Sequence, residues 1–318
     1  MDYVRLGRTE AMVSVAGLGC GGHSRLGMAS GASSAEASRI VAKALDLGVN
    51  FLDTARSYGT EEAVSLGIRG LDRSKLFIST KSWAGTDLSN RNPDPLPVAD
   101  FVANLETSLR TLGTDYVDLW HLHGVSPSQL DHVYNELLPE MHRQRDLGKI
   151  RFIGITEAFR EDLRHEVLQQ ALPTGEFDVA MVGFNLINPG ARSTVFPLAI
   201  KHDVGTLIMF AVRRALGNRE NAAEAVGKLI ELGEVDPALV DPADPLGFLA
   251  AHPKIRSQIE AAYRFCRYEP GANVVLTGTG KEAHLEENIQ SILAPPLPRE
   301  TSERLARIFG SATSISGE

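Results

Sequence analysis

Cysteine is scarce in this 318-residue chain: only Cys20 and Cys266 occur, far apart and without CxxC or Cys/His spacing. A disulfide framework and a metal site therefore lack support, and a reducing compartment is expected. No apolar run is long enough to span a membrane, and Met1-Asp2-Tyr3-Val4-Arg5-Leu6-Gly7 lacks the basic segment and apolar stretch of an export signal. Basic clusters interleaved with aromatics are missing as well. The net charge of −8 is spread along the chain instead of gathered in tails, which argues against nucleic acid as a partner. Low-complexity tracts are absent, because Pro and Gly fall between periodic segments. A cytoplasmic protein with a small-molecule ligand is expected, disordered only in its last few residues, and nothing marks an oligomer interface.

What is present is ample apolar material, 43% of residues, enough for a large core in one domain covering 1–318. Tyr3 to Gly22 reads as a polar hairpin turning at Gly7-Arg8-Thr9-Glu10 and leading to an apolar strand at 13–18. Strands are then expected at 49–53, 76–81, 116–123, 150–156, 179–184, 205–210 and 273–277. Helices alternate with them at 35–47, capped by Ser33 or Ser34, and at 61–69, 101–112, 129–147, 161–172, 195–201 and 252–267. Parallel strands joined by crossover helices, eight in number, predict a (β/α)8 TIM barrel with a short N-terminal hairpin; an open doubly wound sheet is the alternative. Residues 213–253, with a helix at 222–232, read as a long active-site loop, joined by loops 22–31 and 84–97.

Barrel enzymes build sites at the carboxyl ends of strands. Asp53 stands at the end of the second strand, Tyr58 five residues later, Lys81 at the end of the third and His123 at the end of the fourth. Singly, each has an ordinary explanation as cap, packing or surface residue. Jointly, a buried lysine needs an anion such as Asp53, and its ammonium is expected to lower the pKa of a neighbouring tyrosine and make Tyr58 a usable proton donor. His121 points to the same side as His123, one layer deeper, as either a supporting group or a core histidine.

Phe51-Leu52-Asp53-Thr54-Ala55, Tyr58-Gly59, Ser79-Thr80-Lys81 and Asp118-Leu119-Trp120-His121-Leu122-His123 resemble the aldo-keto reductases, as do Gly148 to Ile155 and His284-Leu285-Glu286-Glu287-Asn288. The resemblance implies an oxidoreductase moving hydride between NADP(H) or NAD(H) and a carbonyl or alcohol, with an aldehyde, ketone or sugar as substrate. It implies Tyr58 as general acid or base, Lys81 and Asp53 as its tuning pair, and His123 orienting the substrate oxygen; the loops around the site offer His23 and Trp83 to a substrate. Other readings are a nicotinamide-binding regulatory subunit with little turnover, a sugar dehydrogenase working oxidatively, or an isomerase or lyase on a similar barrel.

For the cofactor, the resemblance points to Gly278, Thr279, Gly280, Lys281, His284, Glu287 and Asn288 around the adenosine and phosphates, and to Phe210 as a ring stacking on nicotinamide. Gly19, Cys20 and Gly21 would let a ligand approach the backbone, with Cys20 as packing. Thr156-Glu157 stands where the family has Ser-Asn, and Met181 where it has Gln. Glu157 either accepts from the carboxamide or starts a helix. Arg213 and Arg214 are candidates for the pyrophosphate, the alternative being a solvated pair. His284 replaces the arginine that reads a 2′-phosphate and Gly278 the matching lysine, so NADP(H) is favoured narrowly, through Lys281.

Overall fold

In a computed structural model describing residues 1–86 and 93–318, the chain forms a closed barrel of eight parallel strands. A hairpin of β1 (Tyr3–Arg5) and β2 (Met12–Ser14) precedes it. The barrel strands are β3 (Ala16–Gly19), β4 (Phe51–Asp53), β5 (Phe77–Trp83), β6 (Val117–Val125), β7 (Ile150–Glu157), β8 (Val179–Gly183), β9 (Gly205–Met209) and β10 (Val274–Thr277), each paired with the next and β10 closing onto β3.

Alternation along the strands separates two apolar regions. Phe51, Phe77, Leu119, Val179, Met181, Leu207 and Val274 point inward and fill the barrel, joined by Leu6 and Val13, so the hairpin stoppers the amino end. Trp120 and Leu122 point outward to the helices. Trp120 stacks on Phe101 at 4.4 Å, and its indole N–H donates to Ser82 Oγ at 3.0 Å. Each large side chain buried this way contributes roughly 1.5–3 kcal/mol.

The helices start where their caps dictate. Ser33 closes a reciprocal capping box with Glu36 on helix Ser34–Asp46. Three expectations shift for the same kind of reason. The helix expected over 161–172 begins only at Glu166, because the Asp162 carboxylate takes the N–H groups of Glu166 and Val167. The one expected from 252 begins at Gln258, capped by Ser257, and the one expected from 222 begins at Arg219, capped by Asn218. The apolar run 13–18 is divided between hairpin and barrel.

Much of the expected active-site loop 213–253 is helical, over Arg214–Gly217, Arg219–Glu231 and Gly247–Ala250, and packs Ala222, Val226 and Leu229 into the core. Of the loop expected over 84–97, residues 87–92 lie outside the described residues. The last residues are not loose as expected: 313–318 are held by buried amides. No helix among the described residues is long and apolar enough to cross a membrane.

Candidate functional site

The carboxyl end of the barrel opens into a cleft of about 480 Å³. Its floor is built by strand ends that run further than their sequence pattern indicates. β5 continues past Lys81 to Trp83, and β6 past His123 to Val125. Inward alternation then places Leu119, His121 and His123 in successive layers, apolar at the bottom and polar at the top.

Lys81 is completely buried, and its ammonium donates to both Asp53 oxygens at 2.7 Å and to Thr54 O at 2.8 Å. Ser79 Oγ donates to the same carboxylate at 3.0 Å. Burial works against the Lys81 charge, but Asp53 and then Tyr58 outweigh it and push the pKa above its ordinary value. The ammonium lies 4.9 Å from the centre of the Tyr58 ring.

The Tyr58 hydroxyl sits 3.3 Å from His123 Nε2, and Trp83 stacks on the other face of the imidazole region at 3.9 Å between ring centres. A Cβ on Gly21 would lie 2.5 Å from the Tyr58 ring, so only glycine lets the tyrosine lean into the cleft. These contacts bring Asp53, Tyr58, Lys81 and His123 together.

One electrostatic expectation is overturned. Burial raises the Tyr58 pKa above its ordinary value of 10, and Lys81 and Arg213 offset this only in part. The phenol is therefore protonated at neutral pH, an acid before it is a base. Burial, Lys81 and His121 together hold His123 well below its ordinary 6.5, so its imidazole is neutral. His121 is likewise depressed, by burial and then Lys81. It fits only because β7 carries Gly154 opposite it, where a Cβ would lie 2.3 Å from its Nδ1.

Thr156, Glu157, Met181, Phe210, Arg213 and His23 also reach the cleft wall. Glu157 turns its carboxylate outward: it accepts from Gly183 N at 2.7 Å and pairs with buried His165 Nδ1 at 2.8 Å. That side chain is not available to a carboxamide, which corrects one alternative for it. Thr156 Oγ1 accepts from Gly124 N at 2.6 Å. Phe210 adopts a left-handed backbone, φ 68°, and meets Phe159 edge-on at 5.3 Å. The Arg213 guanidinium covers the Phe210 ring at 4.2 Å.

The arginine pair is divided: Arg213 faces this cleft, whereas Arg214 leaves it for a neighbouring cavity and approaches Glu224 at 3.5 Å. Cys20 is wholly buried with Sγ toward Leu18 O, a packing residue. Gly19 and the 278–281 loop lie beside each other just outside the cleft. Lys281, His284 and Glu287 are exposed, and Asn288 Nδ2 donates to Thr277 Oγ1 at 2.9 Å. Phe159, His165, Arg25, Arg160 and Glu318 escaped sequence reasoning. Only Phe159 lay within reach of a pattern, as an apolar residue just past a strand end.

A nicotinamide dinucleotide fits these residues. Phe210 supplies an aromatic ring at the cleft wall, and the Arg213 guanidinium adjoins it. Among the described residues no group of three or more His, Cys, Asp or Glu is placed to hold a metal ion.

The fold and this floor define a barrel oxidoreductase site, and comparison with known proteins specifies the family. The Aldo/keto reductase family matches residues 18–309. The chain belongs to that family and is an oxidoreductase acting on carbonyl substrates. It is 27% identical over 307 residues to aldo-keto reductase YhdN of Bacillus subtilis, covering 90% of this chain and 87% of that protein. It is also 27% identical over 301 residues to L-galactose dehydrogenase of Arabidopsis thaliana, covering 90% and 86%. The holo form of an aldo-keto reductase from Bacillus halodurans superposes with a TM-score of 0.74 at 23% identity, over 99% of this chain and 97% of that one, a likeness of fold.

Proposed function

We propose that residues 1–318 work as one cytoplasmic barrel enzyme that reduces an aldehyde or ketone with NADP(H), and with NAD(H) less readily. The observation that carries this reading is the Tyr58 hydroxyl, 3.3 Å from His123 Nε2 at the floor of the cleft and backed by the buried Lys81–Asp53 pair.

The bound nicotinamide supplies the hydride. The chain supplies the proton and the field. His123 is neutral and carries one ring proton. Its Nδ1 is buried without a partner among the described residues, so we assign the proton to Nε2, because an unpaired acceptor is tolerated better than an unpaired buried N–H. Nε2–H and Tyr58 O–H then converge on one point, where the substrate carbonyl oxygen sits. As negative charge develops there, Tyr58 transfers its proton and His123 donates a hydrogen bond. Lys81, held charged by Asp53, stabilises the phenolate until water returns the proton. A phenol held protonated favours the reductive direction at neutral pH.

Arg213 is the contact for the diphosphate and Phe210 the face for the nicotinamide ring. Lys281 makes no ion pair among the described residues and is the cation for a 2′-phosphate. Small carbonyls suit the narrow floor between Trp83, His123 and Tyr58, and a relative named methylglyoxal reductase, 36% identical over 130 residues, points the same way.

The test is a fluorescence titration with NADPH and with NADH, followed by turnover of a carbonyl panel by wild type and Tyr58→Phe. Tyr58→Phe should bind NADPH as the wild type does and lose about 10²–10⁴ in kcat, the usual share of general acid catalysis. Retained turnover would remove Tyr58 from the reaction, and failure of both nucleotides to bind would remove the cofactor.

A further inference from the structure

Beyond the final helix, Arg299–Phe309, the chain returns across the barrel mouth in a fixed path. Glu234 accepts from the backbone N–H groups of Thr313 and Ser314, both at 3.1 Å. Asn188 Nδ2 donates to Thr313 O at 3.2 Å and Ile315 O at 2.8 Å, and Asn185 Nδ2 donates to Ser316 O at 3.0 Å. Ala215 N donates to Gly317 O at 2.9 Å. Asn185 and Asn188 are themselves completely buried, so the strap rests on rigid anchors and not on solvated contacts.

This path delivers the Glu318 side chain to the cleft rim. Its carboxylate lies 2.9 Å from His23 Nε2 and 3.5 Å from Arg213 Nη1. Arg213 thus has two partners, an anion and the face of Phe210. These are the two positions that a dinucleotide needs: the guanidinium for its diphosphate and the aromatic face for its nicotinamide.

We propose that Glu318 is an internal anionic stopper in the diphosphate subsite, and that cofactor entry exchanges the Glu318 carboxylate for the diphosphate at Arg213. This rests on the cofactor reading above. One anion replaces another on the same guanidinium, a monoanionic carboxylate giving way to a doubly charged diphosphate. Arg213 must also leave the face of Phe210, giving up a cation–π contact as the nicotinamide stacks. The stopper occupies Arg213, and its carboxylate repels an incoming diphosphate until the Glu318 side chain moves aside. Its effect falls on affinity and entry rate, and the anchored part of the strap, 313–317, stays in place.

The experiment is stopped-flow and equilibrium binding of NADPH to wild type, Glu318→Gln and Glu234→Gln. Glu318→Gln keeps the shape and removes the charge. It should bind NADPH about fivefold more tightly, the fold-change equivalent to about 1 kcal/mol for an ion pair screened in part from water, with the gain in the association rate. Glu234→Gln loosens the strap at its root and should shift affinity in the same direction by a smaller factor. If wild type binds NADPH and Glu318→Gln binds it equally or more weakly, the stopper is overturned while the cofactor reading stands. If neither wild type nor Glu318→Gln binds any nicotinamide nucleotide, the cofactor reading falls and the stopper falls with it.

Discussion

The two walls of the cleft are built differently. The wall holding Asp53, Tyr58, Lys81 and His123 consists of groups on or just beyond adjacent strands, Asp53 and Lys81 buried and Tyr58 and His123 half-buried, each oriented by hydrogen bonds or ring contacts. The wall facing it, Arg213, Phe210 and Glu318, consists of loop and helix-end groups held by few and longer contacts, Arg213 meeting Glu318 at 3.5 Å and the Phe210 ring at 4.2 Å. Chemistry that must place a proton within tenths of an ångström uses the first kind of wall. Binding that must begin and end with every turnover uses the second.

The contrast is broken most severely at Lys81. Lys81→Met leaves Asp53 buried without its cation, which should destabilise the fold by about 3–5 kcal/mol and remove the field behind Tyr58. Chemical denaturation together with turnover measures both, and a stable, active variant would deny the buried pair its role. Next comes Gly21→Ala, whose methyl group would displace the Tyr58 ring. It should lose about 10²-fold in kcat with little change in NADPH affinity; an affinity loss alone would mean that Gly21 serves the cofactor.

The second wall is probed by Arg213→Gln against Arg214→Gln. Losing one charged contact to the diphosphate should weaken NADPH binding by about tenfold at position 213, and the same change at 214 should leave it unaltered. Equal losses would restore the pair that the structure divides.

The smallest effect is on pH dependence. With the Tyr58 pKa raised above 10 by burial, the acid form persists through the neutral range, so reductive kcat/KM should be flat from about pH 7 to 9 and decline only above 10. A basic limb near pH 7 would show that Lys81 overcomes burial. Stability carries the opposite sign. His121 and His123, depressed below 6.5, contribute stability that is complete above 6.5. That stability is lost as pH falls from there through their folded values, because the unfolded chain takes up the protons first. Calorimetry between pH 7 and 5 should show a declining Tm.

The catalytic wall was the more legible of the two, for the same reason that it is rigid. Strand periodicity decides which side a residue faces, so His121 and His123 were assignable to one side of the strand from their spacing alone, and the barrel brought their neighbours alongside. Lys81 announced a partner because buried ammonium groups need anions. Misjudgements clustered where distant atoms decide. The Tyr58 shift was given the wrong sign because the ion pair was weighed without the burial. For Glu157 both a carboxamide contact and a helix start stayed open because nothing near it foretold His165 in a left-handed turn eight residues on. In the 213–253 stretch the helix around 222–232 was legible, whereas Arg214–Gly217 and Gly247–Ala250 were not, because four-residue helices carry no periodicity and only packing stabilises them.

What the amino-acid order determined by itself was the alternation of strand and helix, the shared side of His121 and His123, and the capping of the first long helix at Ser33. These depend on backbone geometry and on neighbours within a few residues. What tertiary structure alone decided was the protonation of Tyr58, the parting of Arg213 from Arg214, and the arrival of Glu318 beside His23. The physical reason is that burial and charge are sums over atoms that meet only when the barrel closes.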